Sequence, residues 1–302
     1  MPPIQKIAAA SILVALAVLS LKTVAWWITG SVALFSDGTE SLVNLASASV
    51  AFLSIRLAAR PPDARHPYGF HKAELTSALF GGALILTAGV TILWQAVRGL
   101  VDPQPITAAG TGLGLTLLAS AINAVWCTVL LRQGRRLGSP ALQADGRHLL
   151  ADVLFSAAVV IGVLGATQTG LHLLDPLVAG LVAINIMRSG STVLHGAWRG
   201  LIDEALPEDQ QDRIRAIVTA ESGRAATLVS LRTRQAGRAS FAEIRLGLPP
   251  AMPLAEAARI SAAVERALHQ ALPGCQPLIV TEPAELPAGL AGRAIAAPGV
   301  SS

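Results

Sequence analysis

Six almost uninterrupted apolar runs fill the first two-thirds of the chain, at roughly 7–29, 32–56, 74–100, 107–131, 144–168 and 173–195. About 20 apolar residues suffice for a helix to cross the hydrocarbon core of a bilayer. Within lipid a helix satisfies its own backbone, which an open strand cannot do. The pattern therefore predicts an α-helical membrane protein with six transmembrane helices. Composition points the same way: 52% of the 302 residues are apolar and 14% charged, against about 25% charged in ordinary soluble domains. A soluble enzyme is excluded, and no catalytic residue is nominated. Disorder, which needs low hydrophobicity and high charge, is excluded too.

The charges are unevenly spread. Residues 1–200 hold 13 Lys/Arg and 8 Asp/Glu, whereas residues 201–302 hold 10 and 11, so charge density doubles after the sixth run. This divides the chain into a transmembrane domain (1–200), a small cytoplasmic α+β domain (201–285) and a flexible tail (286–302). In the second part, Pro207 opens a helix with Glu208 and Asp209 in its first turn, where acidic groups suit the helix dipole. Strands are expected at 227–234 and 240–248 around Gly237, then a second amphipathic helix over 253–272 and a short strand over 277–281. The order α-β-β-α-β fits a two-layer domain.

Basic residues fall on alternate links. Arg60, Arg65, His66, His71 and Lys72 lie in the 57–73 link, Arg132, Arg135 and Arg136 in the 132–143 link, and Arg188 and Arg199 near the end of the sixth run. The links at 29–32, 101–106 and 169–172 have no Lys or Arg. The positive-inside rule then puts both termini in the cytoplasm, as for a multi-pass protein of the inner cell membrane. Because the cations form no stripe, the basic pI of 9.7 does not point to nucleic acid. The two cysteines, Cys127 and Cys275, fall one in each part, which argues against a disulfide framework or a Cys-based metal site. The first run is too long for the apolar region of a signal peptide. Gly81, Gly82, Gly110, Gly114, Gly162 and Gly165 read as helix-packing positions. Trp26, Trp27, Trp94, Trp126 and Trp198 read as interfacial anchors.

Polar side chains inside spans are costly and are functional candidates by default. The second run contains Asp37, Glu40 and Asn44; the fifth contains Asp145, His148 and Asp152. Glu40 and Asn44 are four apart, as are His148 and Asp152, so each pair shares a helix face. If the two faces meet, carboxylate, amide oxygen, imidazole and carboxylate converge in a set suited to a divalent transition metal. The other reading of the quartet is a polar clamp between two helices. Asp37 and Asp145, each three residues before its pair, read as supporting groups that line a path or cap a helix end. In the 57–73 link, Asp63, His66 and His71 make a possible loop metal site, or else a solvated loop whose His and Lys meet phosphates or the soluble domain.

At these residues the sequence resembles the cation diffusion facilitator family of metal cation/proton antiporters. The resemblance rests on Gly30-Ser-Val-Ala-Leu-Phe-Ser-Asp37, on His66-Pro-Tyr-Gly with Lys72-Ala-Glu74, on Ala144-Asp145-Gly-Arg-His148-Leu-Leu-Ala-Asp152, and on Leu231-Arg-Thr-Arg-Gln-Ala-Gly237. It implies a homodimer in the lipid bilayer that exports divalent metal in exchange for protons, with a metallochaperone-like cytoplasmic domain. Glu40, Asn44, His148 and Asp152 match the family's intramembrane site, and Lys72 and Asp203 match its structural salt bridge. The family's usual second-span pair is His or Asp followed four later by Asp; here it is Glu then Asn. Asp63 and His66 match the loop ligands, while the family's next His is replaced by Phe70, with His71 shifted by one. Positions that bind regulatory metal in relatives correspond here to Val229, Arg245, Ala258 and Val280, and only Glu282 keeps a ligand type, so a regulatory site of the usual kind is not expected. The metal is cargo rather than a resident cofactor, and Zn, Fe, Co, Ni and Mn all suit the donor set. Two rivals stand beside transport: a metal-binding receptor or scaffold with a degenerate site, and a sodium or small-molecule transporter.

Overall fold

The computed structural model of the chain describes residues 2–29, 32–101, 110–169, 174–223 and 226–284. The links expected at 101–106 and 169–172 and the tail at 286–302 fall wholly or largely outside the described residues. The chain divides into two compact units, Met1–Arg199 and Gly200–Ser302.

The first unit is built from six long helices: α1 (Pro3–Thr29), α2 (Val32–Ala58), α3 (Ala73–Val101), α4 (Gly110–Arg136), α5 (Pro140–Thr169) and α6 (Leu174–Leu201). Among the described residues, five helices are long and apolar enough to cross a membrane, those of α1, α2, α3, α4 and α6. Helix α5 has 30 residues and carries Asp145, Arg147, His148 and Asp152 in its first half.

The 132–143 link is much shorter than expected. Helix α4 runs on to Arg136 and α5 begins at Pro140. Arginine is a good helix former, so the basic residues extend the helix beyond its apolar stretch. Gly138 adopts φ 61, as suits a residue just past a helix end. Ser139 Oγ then accepts from the Leu142 N–H at 3.3 Å, and Pro140 occupies the first helical position. The same hydroxyl donates to the carboxylate of Glu74 at the start of α3, which is buried.

Helix α5 joins two cores. Ile4, Ala8, Ala51, Ile55, Cys127 and Leu130 of α1, α2 and α4 pack against Ala141, Leu142 and Leu149. Ala78, Ile85, Ile92, Ala183, Ile186 and Val193 of α3 and α6 pack against Ala144 and Ala151. Small residues permit this approach. A Cβ on Gly82 would meet the Leu194 side chain at 2.9 Å, and one on Gly89 the Met187 side chain at 2.6 Å. Packing thus explains Gly82, whereas Gly114 has nothing within 4 Å.

In the second unit, α7 (Glu208–Ser222), β1 (Thr227–Ala236), β2 (Ala239–Leu248), α8 (Leu254–Ala271) and β3 (Cys275–Pro283) follow the expected order. The sheet order is β1-β2-β3. β1 and β2 form an antiparallel hairpin, with Ala236 opposite Ala239. Gly237 supplies the positive φ, 59°, that so tight a turn needs. α8 carries the chain over so that β3 joins β2 in parallel. Ala242, Ile244 and Leu246 alternate onto one face and pack with Ile214, Val218, Val264 and Leu268 of the helices. The unit therefore has an apolar core of its own.

Candidate metal transport site

Helices α2 and α5 bring together two members of the expected intramembrane quartet. Asn44 Nδ2 donates to Asp152 Oδ2 at 2.7 Å. Asn44 is 4% exposed and His148 3%, and His148 lies one turn before Asp152 on the same face of α5. The side chain of Glu40 lies outside the described residues, as does that of Asp37; the α2 backbone carries Glu40 one turn before Asn44. Among the described residues, no three of His, Cys, Asp and Glu gather closely enough to hold a metal. The described portion thus consists of one carboxylate, one amide and one imidazole.

The amide has a further property. Asn44 Oδ1 is buried without a hydrogen-bond partner among the described residues. Leaving a buried acceptor unmet costs about 1–3 kcal/mol. A bound cation would satisfy it, whereas exchange of the amide's O and N would set that oxygen against the Asp152 carboxylate and lose the bond to it. A small cavity of about 10 Å³ adjoins the amide, where Ser11, Ser41, Asn44, Asn123 and Asp145 meet a mainly apolar lining that includes Val14, Val18 and Leu149. It has room for about one water.

Several of these residues escaped the sequence reading. Ser11, Ser41, Ser47 and Asn123 are all buried, and single hydroxyls or amides in an apolar span carry little weight as sequence features. Lys22 on α1 is buried as well, 7% exposed, and an intramembrane cation was a clue that could have been taken up. Trp126 corrects an expectation. Its indole donates to Ser11 Oγ at 2.8 Å, so a hydrogen bond to a buried hydroxyl explains it rather than interfacial anchoring. Trp27, Trp94 and Trp198 are well exposed, as anchors should be. Asp145 is buried at a helix interface, accepting from hydroxyls of α1 and α2; it caps no helix end.

In the loop between α2 and α3, Asp63 and His66 come together but His71 does not complete a group of three. Asp63 Oδ1 accepts from the backbone N–H of His66 at 2.6 Å and of Arg65 at 2.9 Å, and lies 3.0 Å from His66 Nδ1. The His66 backbone N–H, with the His66 ring and the Arg65 N–H adding to it, holds the Asp63 carboxyl below the usual carboxylate range. With a lowered folded value, its support for the turn is present above the unfolded value of about 3.9. That support is lost only as pH falls through the folded value. Phe70, at the family's usual His position, packs its ring 4.2 Å from that of His66. The turn is closed at Gly69 with φ 75.

Of the second-unit positions Val229, Arg245, Ala258 and Val280, where no metal ligand was expected, one is cationic and three are apolar. Arg245 on β2 pairs with Glu282 on β3, occupying the single ligand-type side chain left. Burial pushes the Cys275 thiol up, which works against metal binding as a thiolate. Asp203, just past α6, has φ 60, and its Oδ1 lies 3.3 Å from Arg234 Nη1.

Comparison with known proteins supplies the family. Residues 8–202 match the cation efflux transmembrane domain, and residues 206–284 match the cation efflux protein cytoplasmic domain. An uncharacterized transporter of Synechocystis sp. is 38% identical over 277 residues, 92% of this chain and 89% of the relative. The cation-efflux pump FieF of Klebsiella pneumoniae is 33% identical over 284 residues, 94% of each chain. The FieF pump of Salmonella arizonae is 32% identical over 280 residues, 93% of each.

Proposed function

Since the chain belongs to the cation diffusion facilitator family, we propose that it exports divalent transition metal in exchange for protons, through a site formed by Glu40, Asn44, His148 and Asp152. The observation that carries this reading is the Asn44–Asp152 contact between α2 and α5, with an unmet amide oxygen and a buried imidazole one turn away. With Glu40 and Asp152 ionised, one divalent cation brings the site to neutrality, the state that crosses a low-dielectric layer at least cost. Loading metal releases protons from its ligands, and unloading takes them back. The same groups therefore couple the two flows as the helices rock about the site. The reading is tested by metal uptake into vesicles carrying the full chain; a receptor or scaffold would bind metal without moving it.

Both termini are placed in the cytoplasm on the distribution of basic links, and Asp63 with His66 remains a two-ligand loop candidate. The salt bridge of Lys72 with Asp203 is a further proposal. Asp203→Lys should reduce transport, and Lys72→Asp in the same chain should restore part of it. A double-mutant cycle of the transport rate checks this, and additive losses would remove the pair from the account.

The soluble domain is proposed to pair two copies of the chain without metal control. Leu278 and Val280, 57% and 45% exposed, flank the register positions of Glu243 and Arg245, on the sheet face away from the core residue Ile244. A fragment spanning residues 201–285 should form a dimer whose melting temperature moves less than about 2 °C with zinc, since only a ligand bound to the native state stabilises it. A rise above about 5 °C, roughly 1 kcal/mol at this size, would reveal a regulatory site.

A further inference from the structure

The hydrogen bonds between α2 and α5 extend beyond the transport site. Asp145 on α5 is 3% exposed. Its Oδ2 accepts from Ser11 Oγ of α1 at 3.0 Å, and its Oδ1 from Ser47 Oγ of α2 at 3.3 Å. Trp126 of α4 donates to the same Ser11 hydroxyl at 2.8 Å. One carboxylate thus ties α5 to α1 and α2 directly, and to α4 through Ser11. Ser47 lies three residues after Asn44, and Asp145 three before His148. The Ser47–Asp145 and Asn44–Asp152 bonds are therefore two fastenings on either side of the imidazole. The two bonds hold α2 to α5 at two points, beside the apolar packing of Ala51 and Ile55 with Ala141, Leu142 and Leu149.

We propose that Asp145 is a positioning residue for transport: through Ser11 and Ser47 it sets the register of α2 on α5 at which Asn44 faces His148 and Asp152, and so sets metal affinity and preference. It does this without ligating the metal. A carboxylate suits the role because it offers an acceptor oxygen to each hydroxyl and needs no donor. Ser11 already accepts from Trp126, so its own proton is directed at Asp145. An amide could keep that bond and donate to Ser47 instead, whereas a methyl group keeps neither. This inference rests on the transport site proposed above.

The test compares Asp145→Asn, Asp145→Ala and Ser47→Ala with Asp152→Ala as control, all in the full chain. KM and maximal rate are measured for zinc and manganese in proteoliposomes, with zinc stoichiometry measured in detergent. Asp145→Ala should raise KM by about 10-fold or more, as loss of an outer hydrogen-bond partner does at metal sites. It should also change the zinc-to-manganese ratio and keep the parent stoichiometry. Asp145→Asn should recover most of the KM, and Ser47→Ala should shift KM in the same direction as Asp145→Ala. Parent KM and metal ratio in Asp145→Ala would overturn the proposal. So would an Asn variant that loses bound metal, which would make the carboxylate a ligand. If Asp145→Ala fails to fold, the Asn and Ser47 variants decide: parent values in Ser47→Ala overturn the inference, and a raised KM there with near-parent values in Asp145→Asn supports it. Parent-like transport by Asp152→Ala would instead remove the transport site itself.

Discussion

Asp152→Ala is expected to reduce metal transport by more than about 100-fold, beyond the range that outer hydrogen-bond partners command. The substitution removes a carboxylate oxygen that meets Asn44 at 2.7 Å, and it leaves Glu40 as the only carboxylate in the proposed quartet. Stability should change far less. The Asn44 amide loses its acceptor, at about 1–3 kcal/mol, but no core residue is touched. Purified protein with a parent-like elution profile and no flux is the expected pairing. Near-parent flux from a folded variant would place the site elsewhere.

Asn44→Asp should change which metals are carried rather than stop transport. The new carboxylate would stand against Asp152, where two like charges resist being ionised together. With metal bound, three carboxylates would surround a divalent ion and leave the loaded site with a net negative charge. Tighter binding, slower release and an altered order across a panel of Zn, Mn, Fe, Co and Ni are expected. An unchanged order of preference at parent rates would show that Asn44 does not touch the metal.

The fold was legible in the sequence because two strong periodicities dominate it. The apolar runs locate all six helices, and the alternation of Ala242, Ile244 and Leu246 with polar neighbours marks β2 as a strand with one buried face. Helix ends were less legible. Arg132 to Arg136 read as a basic link, but hydropathy reports where lipid ends, not where hydrogen bonding ends, and α4 continues through them. At the site, the spacing of four between Glu40 and Asn44 and between His148 and Asp152 was enough to nominate candidate ligands, of which Asn44 and Asp152 meet in the structure. The surroundings were hidden. Ser11 and Ser47 look like ordinary small residues of a span, and their meaning comes only from meeting Asp145, 134 and 98 residues away in sequence. Trp126 misled for a related reason: a tryptophan near a predicted span end reads as an anchor until its donor is seen to reach a buried hydroxyl. Arg245 was read as a cation unsuited to a metal site; its pairing with Glu282 depends on strand register, which one sequence does not disclose.

Coupled exchange is the central claim, and one measurement addresses it directly. The full-length protein is reconstituted in proteoliposomes with a pH-sensitive dye inside, a proton gradient is imposed, and uptake of divalent metals is followed together with internal pH. The account predicts metal flux and an opposite proton flux that begin together, both abolished by collapse of the gradient and both absent in Asp152→Ala. Metal binding without uptake, or uptake that neither moves protons nor responds to the gradient, would contradict it.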